Sequence, residues 1–496
     1  MKKGKIFKSI AFVLGLAASM STMTACTKKT SKDETITLKY LMPGPGHQQD
    51  SEEVYRAFNE KLHEYLPNVN VDIECISTAE YNQQYLLMQT GGTQMDIVNT
   101  YGLSFATEVK NGSFLDITEL LDEYGKETKE ALPEWLFDYM KVDGVLYGVP
   151  SYQMLGSGKA LITQKEFADK WLDVEGLKKE LYNNSYFTDK AAKILDTYME
   201  NLSKNGKVFY GAAPYNETVM NGYEAISDNF VMDKQTHKVY YKFETDAIKN
   251  QYKRHAEWFK KGYIRQDALS CTDESNKKGM GEGYVLWDVN YTPWVDKTTS
   301  KDGTEFITIP VNDHYIIGNS NAAGGTAISA GTKYPEEAMR VINLLQTNKE
   351  LYNLLVYGIE GKHYTKISEE RIETPYGEQG KSSDMYGIYK WIVGNTKLAY
   401  LTQAQPDNFK EWVFNEVNTS EDRSELIGFV LKNDSIADIL TQLAAIKDEY
   451  MKTLATGALK EGWEAYYNEW MRKIKVAGVD TAREEIQKQV DEFLKK

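Results

Sequence analysis

Apolar and polar residues alternate through Ile36, Leu38 and Tyr40, which predicts a strand. The run MPGPGHQQ breaks regular structure. Val54, Phe58, Leu62 and Leu66 then recur at helical spacing, with Asp50 and Glu53 placed as a capping box. Val69, Val71, Ile73 and Cys75 alternate as a second strand, Tyr81 to Gln89 reads as a helix, Met95 to Val98 as a third strand, and Phe105 to Lys110 opens another helix. Strand–helix–strand at these intervals calls for a parallel sheet with right-handed crossovers. Ligands of such sheets sit at the carboxyl ends of the strands, here Gly44 to His47, Ser77 to Glu80 and Asn99 to Tyr101.

The stretch VDGVLYGVPSYQ (Val142 to Gln153) ends this half. Asp143-Gly144 supplies a tight turn between β-forming residues and Pro150 stops the run, so a hairpin followed by an extended exit is expected. Its place between two α/β halves makes it a hinge. Beyond it, Thr163 to Tyr198 reads as charged, solvated helix, Val208 to Ala213 and Gly283 to Val289 as strands of a second sheet, and Asp246 to Lys260 as a helix. Phe306 to Pro310 and Asn319 to Ser329 carry the chain back, and Pro335 starts a helix with Ala338, Val341, Ile342 and Leu345 inward. The remainder reads as helical: Trp391 to Gln405, Ile436 to Leu454 stopping at Gly457, Trp463 to Val476, and a last helix from Asp480 with Thr481 and Glu484 as its capping box.

A chain of 496 residues exceeds one simple core, so two lobes are the default. Its first 25 residues stand outside the fold: four early lysines precede the apolar run Ile10 to Met20, which is too short to span a membrane. Met23-Thr24-Ala25-Cys26 resembles the bacterial lipoprotein cleavage box, with Cys26 as the lipidated residue and a polar tether after it. Loss of those lysines takes the net charge from −14 to −18, which argues against nucleic acid or anionic lipid as a ligand. Cys75 and Cys271 lack metal or disulfide spacing, and two lone buried thiols are expected. The 34 tyrosines and 9 tryptophans suit either a wet binding surface or a Tyr-rich core.

GGTQMDIVNTYGLSFATEVKNGSFLDITELLDEY (Gly91 to Tyr124) resembles a signature of the extracellular, sugar-type solute-binding proteins of bacterial ABC importers. VDGVLYGVPSYQ is similar to the hinge that follows in that family, and Thr326 to Tyr364 continues the match through its final YGIEGKHY. The tail from Gly394 to Leu494 is similar to the C-terminal region, of undefined function, in a lipoprotein subgroup from Gram-positive bacteria. The resemblance implies an α/β fold of two lobes, like the periplasmic binding proteins, with hinge strands and a helical C-terminal region. Its expected division is a leader (1–25), a tether (26–35), a first lobe (36–149 with 319–364) and a second lobe (150–318 with 365–496). Implied partners are an oligosaccharide, a permease, and the membrane through a lipid on Cys26, at the extracellular face of the cytoplasmic membrane. A monomer without metal or cofactor is expected.

A sugar site needs flat aromatic faces and planar polar side chains for the hydroxyls. Trp287, Tyr291 and Trp294 follow a strand and stand around a proline, where they either stack on ligand or pack in the core. Tyr101 and Asn99 end the third strand, Tyr152 and Gln153 leave the hinge, His47 sits in the first loop, and Tyr215 follows VFYGAA. His363 and Tyr364 match the family motif, with a structural role equally in view. The other readings are a receptor for a peptide or other non-sugar solute, a receptor feeding a sensor, and an anchored polysaccharide-active enzyme. Against the last, the chain has no G-x-S-x-G, H-E-x-x-H, Walker A or complete G-x-G-x-x-G.

Overall fold

A computed structural model of the chain describes residues 35–181, 188–207, 222–270, 305–310, 315–316, 324–375, 385–403, 405–419, 422–459 and 461–495, with the backbone of 287–290. β1 (Ile36–Gly44), α1 (Ser51–Leu62), β2 (Val69–Ser77), α2 (Tyr81–Thr90) and β3 (Ile97–Asn99) follow one another as the alternation requires. β1 pairs in parallel with β2 from Ile36 opposite Val69 to Gly44 opposite Ser77, and with β3 at Tyr40 and Leu41. Burial along β1 alternates at first and becomes continuous from Tyr40 onward, as for a strand covered on both faces.

The strand Gly325–Ile328 brings the chain back into this sheet antiparallel to β3, and Val149–Pro150 pairs antiparallel with it. The first sheet is therefore mixed. Asp143 (φ 50°) and Gly144 (φ 86°) form the tight turn ahead of the hinge, between Lys141–Val142 and Val145–Leu146. The helix from Pro335 buries Ala338, Val341, Ile342 and Leu345 as predicted. One continuous core takes residues from Ile36 to Leu155, returns with Ala327 and Ile328, and extends through Ile372, Tyr386, Ile392 and Phe414 to Val417.

In the second lobe, Lys159–Gln164 is the middle strand between Trp287–Asn290 and Phe306–Pro310, both antiparallel to it. Thr163 therefore lies in a strand, and helix begins only at Lys165. Nor is that helical stretch only an outer face: Phe167, Leu177, Leu181, Leu195, Tyr198 and Leu202 form a second core with Trp258 and Ile309. Its charged residues fill the opposite side of each helix.

A third core joins a small antiparallel sheet (Tyr223–Ala225, Phe230–Asp233, Val239–Tyr241) and helix Asp246–Lys260 to the C-terminal helices Ala437–Thr456, Trp463–Val476 and Val479–Leu494. Trp470 lies at its centre against Phe243, Tyr252 and Tyr450. Gly457 caps the first of these helices at φ 68°, where an added side chain would collide with the His255 carbonyl.

Three local expectations fail. Asp50 makes no cap bond to its helix, because its carboxylate points to His363. The last helix starts at Val479 after Gly478, which places Thr481 inside it. Residues 391–403 form turns, bends, isolated bridges at Asn395 and Leu401, and a 3-10 turn, Thr396–Leu398, in place of the predicted helix. The tyrosine excess is in good part a core property: Tyr40, Tyr81, Tyr85, Tyr139, Tyr198, Tyr241, Tyr352 and Tyr450 are all fully buried.

Candidate functional site

The carboxyl ends of β1 and β3 and the exit of the hinge meet along one edge of the first sheet. Residues 385–396 run across that edge and tie its loops together. The Gly387 N–H donates to Gln48 Oε1 (3.0 Å), in the loop after β1. The Ile392 carbonyl accepts from Asn99 Nδ2 and Ser151 Oγ, both at 3.0 Å. Tyr152 donates its N–H to Gly394 O (2.9 Å) and accepts from Thr396 N (2.8 Å), so the segment lies parallel to the hinge exit. Gly394 has φ 49°, and a Cβ there would stand 2.4 Å from the Leu345 carbonyl oxygen. Only glycine fits.

This segment carries the aromatic surface of the edge. The Trp391 ring meets Tyr101 edge to face (4.7 Å, 75°) and lies parallel to Tyr389 (5.9 Å, 10°). All three rings are half-buried. They form a partly exposed aromatic ridge against the first core, a chemistry suited to the C–H faces of a pyranose. Tyr101 was legible from its place after β3. The helical reading from Trp391 hid that ring and Tyr389 was not singled out; the two come together across a tight turn in which the Ile392 N–H donates to the Tyr389 carbonyl (3.0 Å).

The other predicted residues divide sharply. Asn99 is fully buried, and its carboxamide brackets the site: Nδ2 holds Ile392 and Oδ1 accepts from Tyr101 N (3.1 Å). Tyr152 is buried with its ring against Phe414 (4.8 Å), and burial raises its phenol pKa. The Gln153 carbonyl accepts from Asn418 Nδ2 (2.6 Å), and Asn418 Oδ1 receives Leu155 N (2.9 Å). Asn418 follows a π-helical turn, Trp412–Val417, that packs on the hinge exit. His47 is exposed at the tip of the first loop. Trp287 lies on a described strand, but its side chain, and Tyr291, Trp294, Tyr215 and Cys26, lie outside the described residues.

That first loop is braced from beneath. His363 and Asp50 are both buried and paired at 3.1 Å, and Lys362 reaches Asp50 (3.2 Å) and Glu53 (2.5 Å). Burial alone would raise the Asp50 pKa, and the bonds from His363 and Lys362 outweigh it, holding the carboxyl below its ordinary range.

A cavity of about 680 Å³ lies at the opposite, amino edge of the sheet, lined by Thr37, Gln89, Asp96, Phe114, Ser329 and Tyr334. The crossing segments leave from the other edge. Among the described residues, no group of three or more His, Cys, Asp or Glu is gathered to hold a metal, and no helix is long and apolar enough to cross a membrane.

Comparison with known proteins bears on the fold. Residues 425–495 match a domain of unknown function, DUF3502. A carbohydrate ABC transporter substrate-binding protein of Streptococcus pneumoniae is 25% identical, over 98% of this chain and 96% of its own. The crystal structure of the N-glycan transport solute binding protein NgtS from S. pneumoniae aligns with a TM-score of 0.73 at 22% identity, covering 93% of this chain and 100% of that one. FusA, an S. pneumoniae ABC-transporter substrate binding protein solved with kestose, aligns at 0.61 with 14% identity, over 92% and 99%. The chain thus has the two-lobed α/β fold of solute-binding proteins, ends in a DUF3502 domain, and is a homologue of a carbohydrate ABC transporter substrate-binding protein along nearly its whole length.

Proposed function

We propose that this chain is a lipid-anchored receptor that captures an extracellular oligosaccharide between its lobes and delivers it to the permease of an ABC importer. The observation that carries the reading is the ridge of Tyr101, Trp391 and Tyr389 on the edge where the chain crosses from lobe to lobe. Its rings supply stacking faces, and the loop bearing His47 supplies a polar rim. Full-length similarity to a carbohydrate ABC transporter substrate-binding protein supports the same class of ligand. A solute touching both lobes binds the closed arrangement more tightly than the open one, and that difference drives closure.

The first lobe in this reading is 36–149 with 319–364, and the continuity of its core favours adding the return through Val417. Residues 150–318 and the C-terminal helices make the second lobe. Cys26 would carry the lipid and open the tether of residues 26–35. Capture requires no metal, cofactor or second copy of the chain.

The test is thermal stability of the purified protein against plant, host and microbial oligosaccharides, amino acids and short peptides. A ligand of the folded state raises the melting temperature by mass action. A rise with one oligosaccharide class, recovered unaltered, is the expected result. A rise with peptides alone would overturn the sugar, and turnover of any compound would overturn the receptor.

A further inference from the structure

Residues 422–432 form a strap that touches both parts of the third core, the small sheet and the C-terminal helices, and also the first lobe. Toward the small antiparallel sheet, Asp422 pairs with Lys234 (3.5 Å), Ser424 bonds Glu224, and Glu425 pairs with His237 (2.7 Å). Toward the C-terminal helices, Leu426 enters the third core, and the backbone of Lys432 bonds both ways with the Gln489 carboxamide (2.8 and 2.7 Å). Toward the first lobe, Arg423 lies over the Trp135 ring (4.5 Å) and Ile427 packs on the first core. There too, Lys432 pairs with Asp143 (2.9 Å) in the turn before the hinge. Phe429 and Phe493 meet edge to face (5.4 Å) and wall a small cavity closed on its far side by Lys110 and Val142 to Gly144.

The place of this junction decides its effect. Val149–Pro150 runs parallel to β3, since both are antiparallel to Gly325–Ile328, so the turn ahead of it lies toward the amino edge of the sheet. Lys110 marks the same side, because its neighbours Asn111 and Gly112 line the cavity at the amino edge. The aromatic ridge is on the carboxyl edge. The hinge stands between the two.

We propose that the DUF3502 region, with the strap that leads into it, is a rear brace on the hinge, which holds the lobes apart by gripping the Asp143 turn and so sets how readily the cleft closes. A lever turning about the hinge brings the front surfaces together only by parting those behind it. Every interaction that closure breaks at the rear therefore weights the equilibrium toward the open arrangement. The proposal rests on the two-lobed binding reading but not on the nature of the solute.

The test needs no ligand. Nitroxide labels on Asn82→Cys, exposed in the first turn of α2 at the carboxyl edge, and on Lys193→Cys in the second lobe, with Cys26 and Cys271 changed to serine, report the interlobe separation by pulsed electron resonance. Lys432→Glu, which sets like charges face to face, and Phe429→Ala are each expected to broaden the distribution and at least double the weight of its shorter separations. The exchange pair Asp143→Lys with Lys432→Glu is expected to restore the original distribution. Distributions unchanged in both single variants, or a pair that fails to restore, would overturn the brace. A melting curve for each variant separates these outcomes from partial unfolding.

Discussion

His363 donates through Nε2 to the Asp50 carboxylate while its Nδ1 accepts the Ile359 N–H at 2.9 Å. The second bond fixes the tautomer, since a nitrogen that accepts carries no proton. The family-like run YGIEGKHY thus serves as an anchor for the loop after β1. Its Gly358, at φ 82°, leaves room for the His363 ring, which a Cβ would meet at 2.6 Å.

Asp50→Asn should cost roughly 1–3 kcal/mol near neutral pH, because it removes a charged acceptor from a buried pair. The Asp50 pKa is depressed in the fold, so its contribution is complete above the ordinary carboxylate range and is lost as pH falls through and below about 4. Melting temperatures of the two proteins should converge in acid. A constant gap across pH 3 to 7 would contradict this.

Trp391→Ala should weaken oligosaccharide binding by roughly 1–3 kcal/mol, the scale of a stacked aromatic contact, with a melting temperature near that of the parent. Calorimetric titration with the sugar found by the stability screen measures it. Early melting with unaltered affinity would make the ring a packing residue.

Much of the first lobe was legible because its strands and helices keep strict periods. Ile36, Leu38 and Tyr40 on β1, and Val54, Phe58 and Leu62 on α1, are buried as their spacing requires. The site was harder. Residues 385–396 have no period, and their order comes from distant bonds to Gln48, Asn99 and Tyr152. Trp391 was therefore read into a helix. Asn99 and Tyr152, expected as ligand contacts, are both buried beside the crossing, and sequence says nothing of which partner a carboxamide or ring will take. Asp50 shows the same limit: capping spacing lost to a histidine 313 residues away.

His255 gives a second pH dependence. Its Nδ1 lies 2.5 Å from the Ala455 carbonyl, joining helix Asp246–Lys260 to the C-terminal helices. Burial pushes its pKa down to about 4, against the opposing pull of that carbonyl. The unfolded chain takes up this proton near pH 6.5, so stability should fall by about 3 kcal/mol between roughly pH 6.5 and 4. His255→Gln should flatten that part of the melting profile.

Gly394→Ala should destabilise the protein by more than the roughly 1 kcal/mol of an ordinary glycine replacement, because a positive φ and the Leu345 carbonyl act together. Denaturant unfolding measures the loss. A variant as stable as the parent would show that the 385–396 segment can shift without harm.

The irregular backbone of that segment has an evolutionary consequence. A residue on a strand answers to neighbours on both sides and to a fixed alternation, so changing it disturbs a ladder. Tyr389 and Trp391 project from a chain held by its carbonyls and N–H groups, notably at Gly387, Ile392 and Gly394. Apart from Gly394, where only glycine fits, those anchors are blind to side-chain identity. On the proposed reading, the ridge can exchange a ring for a smaller or polar group while the sheet beneath stays as it is, and one scaffold can change the solute it takes by editing a dozen residues.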